Sequence, residues 1–122
     1  MSITGPYIPN RGDIVWIEFS PQTGYEIEKK RPALVLSNYR FNRKTNFAFV
    51  VPITKTRRDH FVFSIQLPDN LCAEGFLLLD QIKSQDYVAR KAEFACRITD
   101  ENFLREITKK IVSVLQGRMD DC

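Results

Sequence analysis

Three residues near the ends of predicted strands combine side chains that can cleave a phosphodiester. They are Glu26, Arg31 and Thr54. If the ligand is RNA, a base placed beside the 2′-hydroxyl turns that group into an internal nucleophile. Glu26 would take the proton, Arg31 would stabilise the charge of the transition state, and Thr54 would donate a hydrogen bond to a phosphate oxygen. This reaction needs no metal and yields a 2′,3′-cyclic phosphate and a 5′-hydroxyl.

Each of these residues also has an ordinary structural interpretation. Glu26 lies among cations and is compatible with a solvated salt-bridge partner. Arg31 precedes a proline and can close a loop onto a neighbouring carboxylate, while a threonine such as Thr54 often serves as a turn hydroxyl at a strand end. The local sequence leaves both interpretations open.

The remaining composition excludes several other chemistries. A single histidine, His60, cannot form a two-histidine catalytic pair or a histidine-rich metal site, and no glycine-rich phosphate loop is present. Three cysteines without metal-type spacing argue against both a disulfide framework and a zinc site, and they favour a reducing compartment. Neither a signal peptide nor a transmembrane segment is recognisable. We therefore expect a cytoplasmic protein with no metal, no cofactor and no membrane partner.

Positive charge is concentrated in one part of the chain. The net charge is only +3, but the segment from Lys29 to Arg58 contains many cations and no acid, with aromatic residues interleaved. This mixture suits single-stranded nucleic acid, although two solvated loops would have the same composition. The candidate RNA-binding residues are Lys29, Lys30, Asn38, Tyr39, Arg43, Lys44, Lys55, Arg57, Arg58, Gln81, Lys83 and Ser84.

Hydrophobic periodicity predicts the elements that position these residues. Alternating or continuous apolar runs predict strands over 13–19, 33–37, 47–53, 61–67 and 74–84, with a short sixth around 95–98. The segment 20–30 is predicted to be an exposed loop and 38–46 a basic hairpin loop. Pro52 indicates that its end of the third strand is an edge or a bulge.

The C-terminal region alone has a helical pattern. Thr99 or Asp100 can cap a helix whose apolar residues recur at helical spacing until Gly117. Short strands followed by one helix predict a mainly β fold, a small, strongly curved antiparallel barrel. We expect one domain over 1–122, with an ordered core of about 7–117 and the helix covering one end of the barrel.

Four motifs in order resemble the MazF/PemK family of bacterial toxin–antitoxin systems, most closely its MazF-type members. They are "RGDIVWIEFSPQTGYE", "RPALVLS", "VVPIT" and "LLLDQIKS", and the similarity covers about 7–116. The resemblance implies an SH3-like barrel and an obligate homodimer that cleaves single-stranded mRNA at a specific sequence without a metal. It also implies an antitoxin whose acidic tail covers the RNA site. Arg31 and Thr54 match the catalytic residues of the family, and Glu26 matches the glutamate five residues before that arginine.

The sequence departs from the family in one loop, and a second class of function stays open. Ile27 and Lys29 stand where relatives often have glutamine and glycine, so the loop conformation and the recognised RNA sequence are not fixed by the resemblance. Toxins that resemble CcdB share the barrel but bind DNA gyrase and cleave no RNA, and a non-catalytic RNA-binding barrel is a third alternative. The Arg-Pro and Ile-Thr motifs favour the nuclease.

Overall fold

The computed structural model describes residues 7–19, 30–55 and 63–117, which form one curled antiparallel sheet and two helices. The sheet order is β4-β5-β3-β2-β1-β7, and β6 pairs with β3. The mainly β prediction with a C-terminal helix is confirmed. The elements are β1 (Asp13–Glu18), β2 (Lys30–Val35), α1 (Tyr39–Thr45), β3 (Phe47–Thr54), β4 (Ser64–Gln66), β5 (Phe76–Leu78), a 3-10 turn (Leu79–Gln81), β6 (Lys83–Asp86), β7 (Glu93–Arg97) and α2 (Glu101–Leu115).

Alternating side chains of the central strands build an apolar cluster on each face of the sheet. One cluster contains Ile14, Leu34 and Val51 together with Leu104 and Ile107 of α2. The other consists of the side chains on the opposite face, namely Val15, Ile17, Ala33, Val35, Ala48 and Val50, together with Tyr87. The helix therefore buries Leu104 and Ile107 in the cluster on one face of the curled sheet. The position of the helix over one end of the barrel stays a prediction.

The ends of α2 follow the predicted signals. The Asp100 side chain accepts hydrogen bonds from the backbone N–H groups of Asn102 and Phe103 at 3.0 and 3.2 Å. Gly117 follows the helix with a positive φ of 77°, a conformation that glycine adopts without strain. No helix in the described part of the chain is long and apolar enough to cross a membrane.

The predicted hairpin loop over 38–46 is wrong, because most of it forms α1. The Asn38 side chain caps the first turn by accepting a hydrogen bond from the Phe41 N–H at 3.0 Å. Asn46 ends the helix in the left-handed conformation with φ 65°. Buried Asn42 donates from its side chain to the carbonyls of Pro9 and Ser37. Polar capping residues and the hydrogen bonds of buried Asn42 stabilise this helix, so the apolar periodicity of the sequence did not indicate it.

The single strand predicted over 74–84 is also wrong. It divides into β5 and β6 with the 3-10 turn between them, because β3 pairs with β6 over Phe47–Val50 and with β5 at Ile53 and Thr54. Pro52 falls between these two pairings and is in register with Ala33 of β2. The strand end containing Pro52 is therefore interior and not an edge, and the ladder along β5 and β6 is interrupted where the proline occurs.

The prediction that the cysteines form no disulfide is wrong for one pair. Cys72 and Cys96 are joined by a disulfide with a Cα–Cα distance of 6.0 Å, although 24 positions separate them in sequence. Cys72 belongs to the loop between β4 and β5, and Cys96 lies in β7. Sequence spacing could not indicate this pair, because curling of the sheet brings the two positions together.

A closed polar network holds the start of the first motif. The Asp13 carboxylate is fully buried and accepts hydrogen bonds from the Tyr7 hydroxyl, from Arg97 Nε at 2.6 Å and from the Asn10 N–H at 2.9 Å. Burial and the neighbouring carboxylate raise the pKa of Tyr7 far above its usual range. Both carboxylate oxygens of Asp13 therefore have hydrogen-bond partners inside the fold, which indicates a structural role.

Candidate active site

A groove opens at one end of the antiparallel pair β2–β3, at the end away from α1, and it contains Arg31 and Thr54. Its walls are formed by Trp16 on β1, by Pro32 on β2, and by the loop that connects β4 to β5. The groove encloses about 1110 Å³, which exceeds the roughly 300–1,000 Å³ of sites for small molecules. A cleft of this size suits a segment of a polymer.

Strand register explains why Arg31 and Thr54 meet. The pair Ala33 and Pro52 is in register between antiparallel β2 and β3, and stepping two residues outward from it leads to Arg31 on one strand and Thr54 on the other. Arg31 also pairs with Ile17 of β1, and Thr54 pairs with Phe76 of β5. Both residues are thus held by strands on rigid scaffold while Arg31 stays exposed to solvent.

Gly75 fixes the backbone of Thr54 against the groove wall. A Cβ added at Gly75 would lie 2.2 Å from the Thr54 carbonyl oxygen, and the φ of Gly75 is +130°. Any other side chain here would push the loop away from β3. The close contact between Gly75 and Thr54 therefore sets how the β4–β5 loop lies beside the candidate catalytic threonine.

The predicted site residues near this groove divide into two groups. Arg31, Thr54 and Lys55 line it. Lys30 lies on β2 but forms a 2.8 Å ion pair with Glu93, which directs its ammonium toward β7. Glu26 lies outside the described residues, and so do three predicted RNA-binding residues, Lys29, Arg57 and Arg58.

The predicted RNA-binding residues of α1 lie at the opposite end of the strand pair β2–β3. Asn38 caps that helix, and Tyr39, Arg43 and Lys44 are exposed on it. The eight residues of β3 separate the two ends by about 23 Å at roughly 3.3 Å per residue. One nucleotide cannot contact both groups, so the structure does not bring the α1 residues together with Arg31.

Exposed rings dominate the surface around α1, which we call the aromatic surface. It consists of Tyr39, Phe41, Phe47 and Phe49, each about two-fifths exposed. The rings of Phe41 and Phe49 stack with centroids 5.6 Å apart. Outward-facing aromatic residues in this number are unusual on a solvated surface.

The remaining predicted residues follow the 3-10 turn and β6. Gln81 ends the turn and is exposed, while Ser84 is in register with Phe49 and therefore borders the aromatic surface. The Lys83 ammonium lies 5.4 Å from the centre of the Phe19 ring, just after β1. None of these three residues lines the groove.

Sequence reasoning missed several groove residues. Trp16 lines the groove and is 40% exposed although it lies on a strand with a buried face. Gln66 at the end of β4 and Asp69, Asn70 and Glu74 in the β4–β5 loop contribute polar groups. The signal for Trp16 was present, because the alternation in β1 places it on the face opposite Val15 and Ile17.

The groove combines a guanidinium, a hydroxyl, an ammonium and an aromatic ring. Arg31 and Lys55 can bind phosphate, Thr54 can donate a hydrogen bond to it, and Trp16 offers a face on which a base can stack. In the described part of the chain, no three histidine, cysteine or acidic side chains cluster as metal ligands. This set of side chains has the chemistry to bind a single-stranded polyanion.

Comparison with known proteins assigns the family. Residues 10–115 match the model of the PemK-like, MazF-like toxin of type II toxin–antitoxin systems. The chain belongs to this family. The endoribonuclease toxin MazF of Escherichia coli (strain K12) is 34% identical over 111 residues, which cover 91% of this chain and 96% of that protein. The endoribonuclease toxin ChpB of the same strain is 35% identical over 96 residues, covering 75% of this chain and 81% of ChpB.

Solved structures of MazF proteins share the fold of this family member. In a crystal structure of MazE–MazF from Deinococcus radiodurans, the matching chain has a TM-score of 0.80 and 35% identity, and the match covers 91% of this chain and 98% of the other. MazF from the same organism without MazE gives a TM-score of 0.78 at 35% identity, with 91% and 99% coverage. The curled sheet and the C-terminal helix described above are therefore the MazF-type fold.

Proposed function

We propose that this chain is a sequence-specific endoribonuclease toxin that cleaves single-stranded mRNA. The observation that carries the proposal is that Arg31 and Thr54 line one open groove with Lys55 and Trp16. Relatives that are about one third identical over most of the chain are named endoribonuclease toxins, which supports the same activity here. The whole chain, 1–122, acts in this proposal as one domain in the cytoplasm, where mRNA is available.

The reaction uses the RNA as its own nucleophile. A phosphate in the groove accepts hydrogen bonds from the planar fork of Arg31 and from the Thr54 hydroxyl. The neighbouring 2′-oxygen attacks the phosphorus, and Arg31 stabilises the additional negative charge that develops on the phosphate oxygens. The bond between phosphorus and the 5′-oxygen breaks, and the leaving oxygen takes up a proton by exchange through water, which gives a 2′,3′-cyclic phosphate and a 5′-hydroxyl. Because the nucleophile belongs to the substrate, the reaction requires no metal.

Glu26 is the proposed general base on the strength of its match to the family motif. Its carboxylate takes the proton of the 2′-hydroxyl, so cleavage should depend on its ionisation. Glu26→Gln keeps the size of the side chain but removes the base. The rate should fall and its dependence on acidic pH should disappear, as measured by a pH–rate profile. A normal profile for the folded variant would exclude Glu26 as the base.

Product mapping tests the proposal. The purified protein is incubated in excess EDTA with a long single-stranded RNA and with DNA of the same sequence, and the fragment ends are identified. We expect discrete cuts in the RNA alone, with cyclic phosphate at the new 3′ ends. Intact RNA from a folded protein free of any inhibitor would contradict the proposal and favour a gyrase-binding or purely RNA-binding toxin.

An acidic antitoxin segment is the proposed protein partner. The groove presents Arg31 and Lys55 to an extended ligand, and a carboxylate-rich chain can occupy the positions of RNA phosphates. Related MazF proteins of Deinococcus radiodurans have been crystallised with MazE, which supports a partner of this kind. Lys55→Glu should weaken binding of both RNA and the acidic partner, as measured by competition binding. Loss of RNA binding alone would contradict a shared site.

The aromatic surface is the proposed contact of a homodimer. Exposed rings of Phe41, Phe47 and Phe49 on one face favour burial against a second copy. Phe49→Lys should shift the protein from dimer to monomer in sedimentation equilibrium, whereas Leu115→Lys, at an exposed position on α2, should not. An unchanged dimer in Phe49→Lys would place the interface elsewhere.

A further inference from the structure

The Cys72–Cys96 disulfide joins two parts of the sheet that strand pairing leaves apart. Cys72 lies in the loop between β4 and β5, and Cys96 lies in β7. In the strand order, β4 and β5 are at one end of the sheet and β7 is at the other, with no pairing between those ends among the described strands. The disulfide therefore closes the curled sheet covalently at its open seam.

The same loop forms one wall of the groove. Residues from Gln66 to Phe76 line it, and the opposite wall contains Arg31 and Pro32. Near its end the loop meets β3, where Gly75 packs directly against the Thr54 backbone. The width of the groove and the surroundings of Thr54 therefore depend on where this loop is anchored.

Few other contacts hold the middle of the loop. Its base is closed by the hydrogen bond from the Leu67 N–H to the Gly75 carbonyl at 2.9 Å. Leu71 and Ala73 pack only partly against the apolar cluster under α2. Pro68, Asp69 and Asn70 are exposed, as is Cys72 itself. When the disulfide is open, the tip is held by two half-buried side chains, so it should open locally far more often than the strands do.

We propose that Cys72 and Cys96 form a thiol-redox modification site that controls this wall of the groove. The inference rests on the proposed ribonuclease function for its effect on activity. The disulfide holds the loop in the position that places Thr54, so the oxidised protein is the more active form. Exposed Cys72 is the sulfur that a small thiol or a small disulfide reaches first, because Cys96 is half-buried on β7. Disulfides in reducing compartments typically serve such sensing roles.

Thiol–disulfide exchange with a low-molecular-weight disulfide of the glutathione class accounts for every atom. The Cys72 thiolate attacks one sulfur of that disulfide, forms a mixed disulfide and releases one small thiolate. The Cys96 thiolate then attacks the Cys72 sulfur, closes the protein disulfide and releases the second small thiolate. The protein loses two protons and two electrons, and one small disulfide becomes two thiols. Excess small thiol reverses both steps.

The test compares the two redox forms of one protein. The Cys122→Ser substitution removes the third thiol. One sample of this protein is oxidised with glutathione disulfide and another is reduced with dithiothreitol. Mass spectrometry then verifies whether Cys72 and Cys96 are joined. Single-turnover RNA cleavage and hydrogen exchange over 67–75 are then measured. Reduction should lower the cleavage rate by about tenfold, because a small displacement of the reacting groups greatly slows the reaction. Reduction should also speed amide hydrogen exchange in the loop. Adding Cys72→Ser together with Cys96→Ser removes both sulfurs, so this variant should reproduce the reduced form and should not respond to oxidant.

The outcomes separate this inference from the proposed function. Equal cleavage and equal loop exchange in the two redox forms would overturn the redox site. If neither form cleaves RNA, the ribonuclease proposal fails, and the exchange measurement decides the redox site alone: faster exchange on reduction supports it and equal exchange overturns it. Should the variant without Cys72 and Cys96 fail to fold, the reduced Cys122→Ser protein supplies the same comparison.

Discussion

The groove and the aromatic surface contain similar residue types but lie at opposite ends of the antiparallel strand pair β2–β3. Each offers cations and exposed rings, and composition alone assigns both to one RNA site. The groove is concave and has walls from three parts of the chain, with Arg31 and Thr54 on adjacent strands. The aromatic surface is formed by α1 and the outward side of β3, and the neighbouring cations Arg43 and Lys44 lie outside the groove.

A mixture of basic and aromatic residues therefore marks contact surfaces but does not distinguish their occupants. Cleavage of a phosphodiester requires groups that converge on one atom, and only walls from several elements supply that convergence. A flat cluster of rings around Phe49 instead suits burial against another protein surface. We therefore assign chemistry to the groove and self-association to the aromatic surface.

Substitution of Arg31 should lower the cleavage rate more than any other single change. Arg31→Ala removes the guanidinium that stabilises the transition state, and we expect cleavage to fall by about 10²-fold or more in single-turnover assays. Arg31→Lys keeps the charge without the planar fork and should lie between the two. A folded Arg31→Ala protein with a normal rate would move the chemistry out of the groove.

Gly75→Ala should reduce cleavage by about tenfold. The added methyl group meets the Thr54 carbonyl at 2.2 Å, so the loop or Thr54 must shift. Gly117→Ala is the matched control, because Gly117 also has a positive φ but no atom lies within 4 Å of an added Cβ. The control should lose stability with an unchanged rate for the folded protein. Equal rates in both variants would show that the position of Thr54 does not matter.

Asn42→Ala should change stability and not chemistry. The buried Asn42 side chain anchors α1 by donating to the Pro9 and Ser37 carbonyls, and its removal leaves these groups unpaired. We expect a loss of about 2–3 kcal/mol in the free energy of unfolding, measured by urea denaturation. The cleavage rate of the folded fraction should be preserved. A rate loss that exceeds the unfolded fraction would link α1 to the active site.

The smallest effect is expected for charge reversal on α1. Arg43→Glu with Lys44→Glu changes charges on α1, which adjoins the Phe47 end of β3. The eight residues of β3 place that end about 23 Å from Thr54, which exceeds the Debye length of roughly 8–10 Å at moderate salt. RNA affinity should fall by no more than about threefold, with an unchanged salt slope, in fluorescence anisotropy titrations. Lys109→Glu with Lys110→Glu on exposed α2 controls for net charge. A large loss with a reduced salt slope would extend the RNA site to α1.

The sequence predicted the fold where local pattern and tertiary structure agree. Alternation in 13–19 and helical spacing after Asp100 both reflect burial of one face, so β1 and α2 were found correctly. Helix α1 was missed because Asn38, Asn42 and Asn46 form it through capping and hydrogen bonds. The division of 74–84 into β5 and β6 depends on two successive pairings with β3, which no local window contains.

The site was predicted in part for the same reason. Arg31 and Thr54 belong to strand-end motifs, and antiparallel register brings them into one groove, while their catalytic roles stay a prediction. The role of the β4–β5 loop was missed, because its proximity to Thr54 arises from β3–β5 pairing and from the Gly75 contact. The Cys72–Cys96 pair was missed because only the curl of the whole sheet brings its halves together.

Crosslinking tests most directly whether the groove, and not the aromatic surface, holds the reacting phosphate. An RNA containing the mapped cleavage site receives a 2′-deoxy sugar at the cut position, which removes the nucleophile, and a photoreactive 4-thiouridine next to it. Mass spectrometry then locates the adducts on the protein. We predict adducts at Trp16 or within residues 66–76. Adducts confined to residues 39–49 would show that the reacting phosphate lies at the aromatic surface and not in the groove.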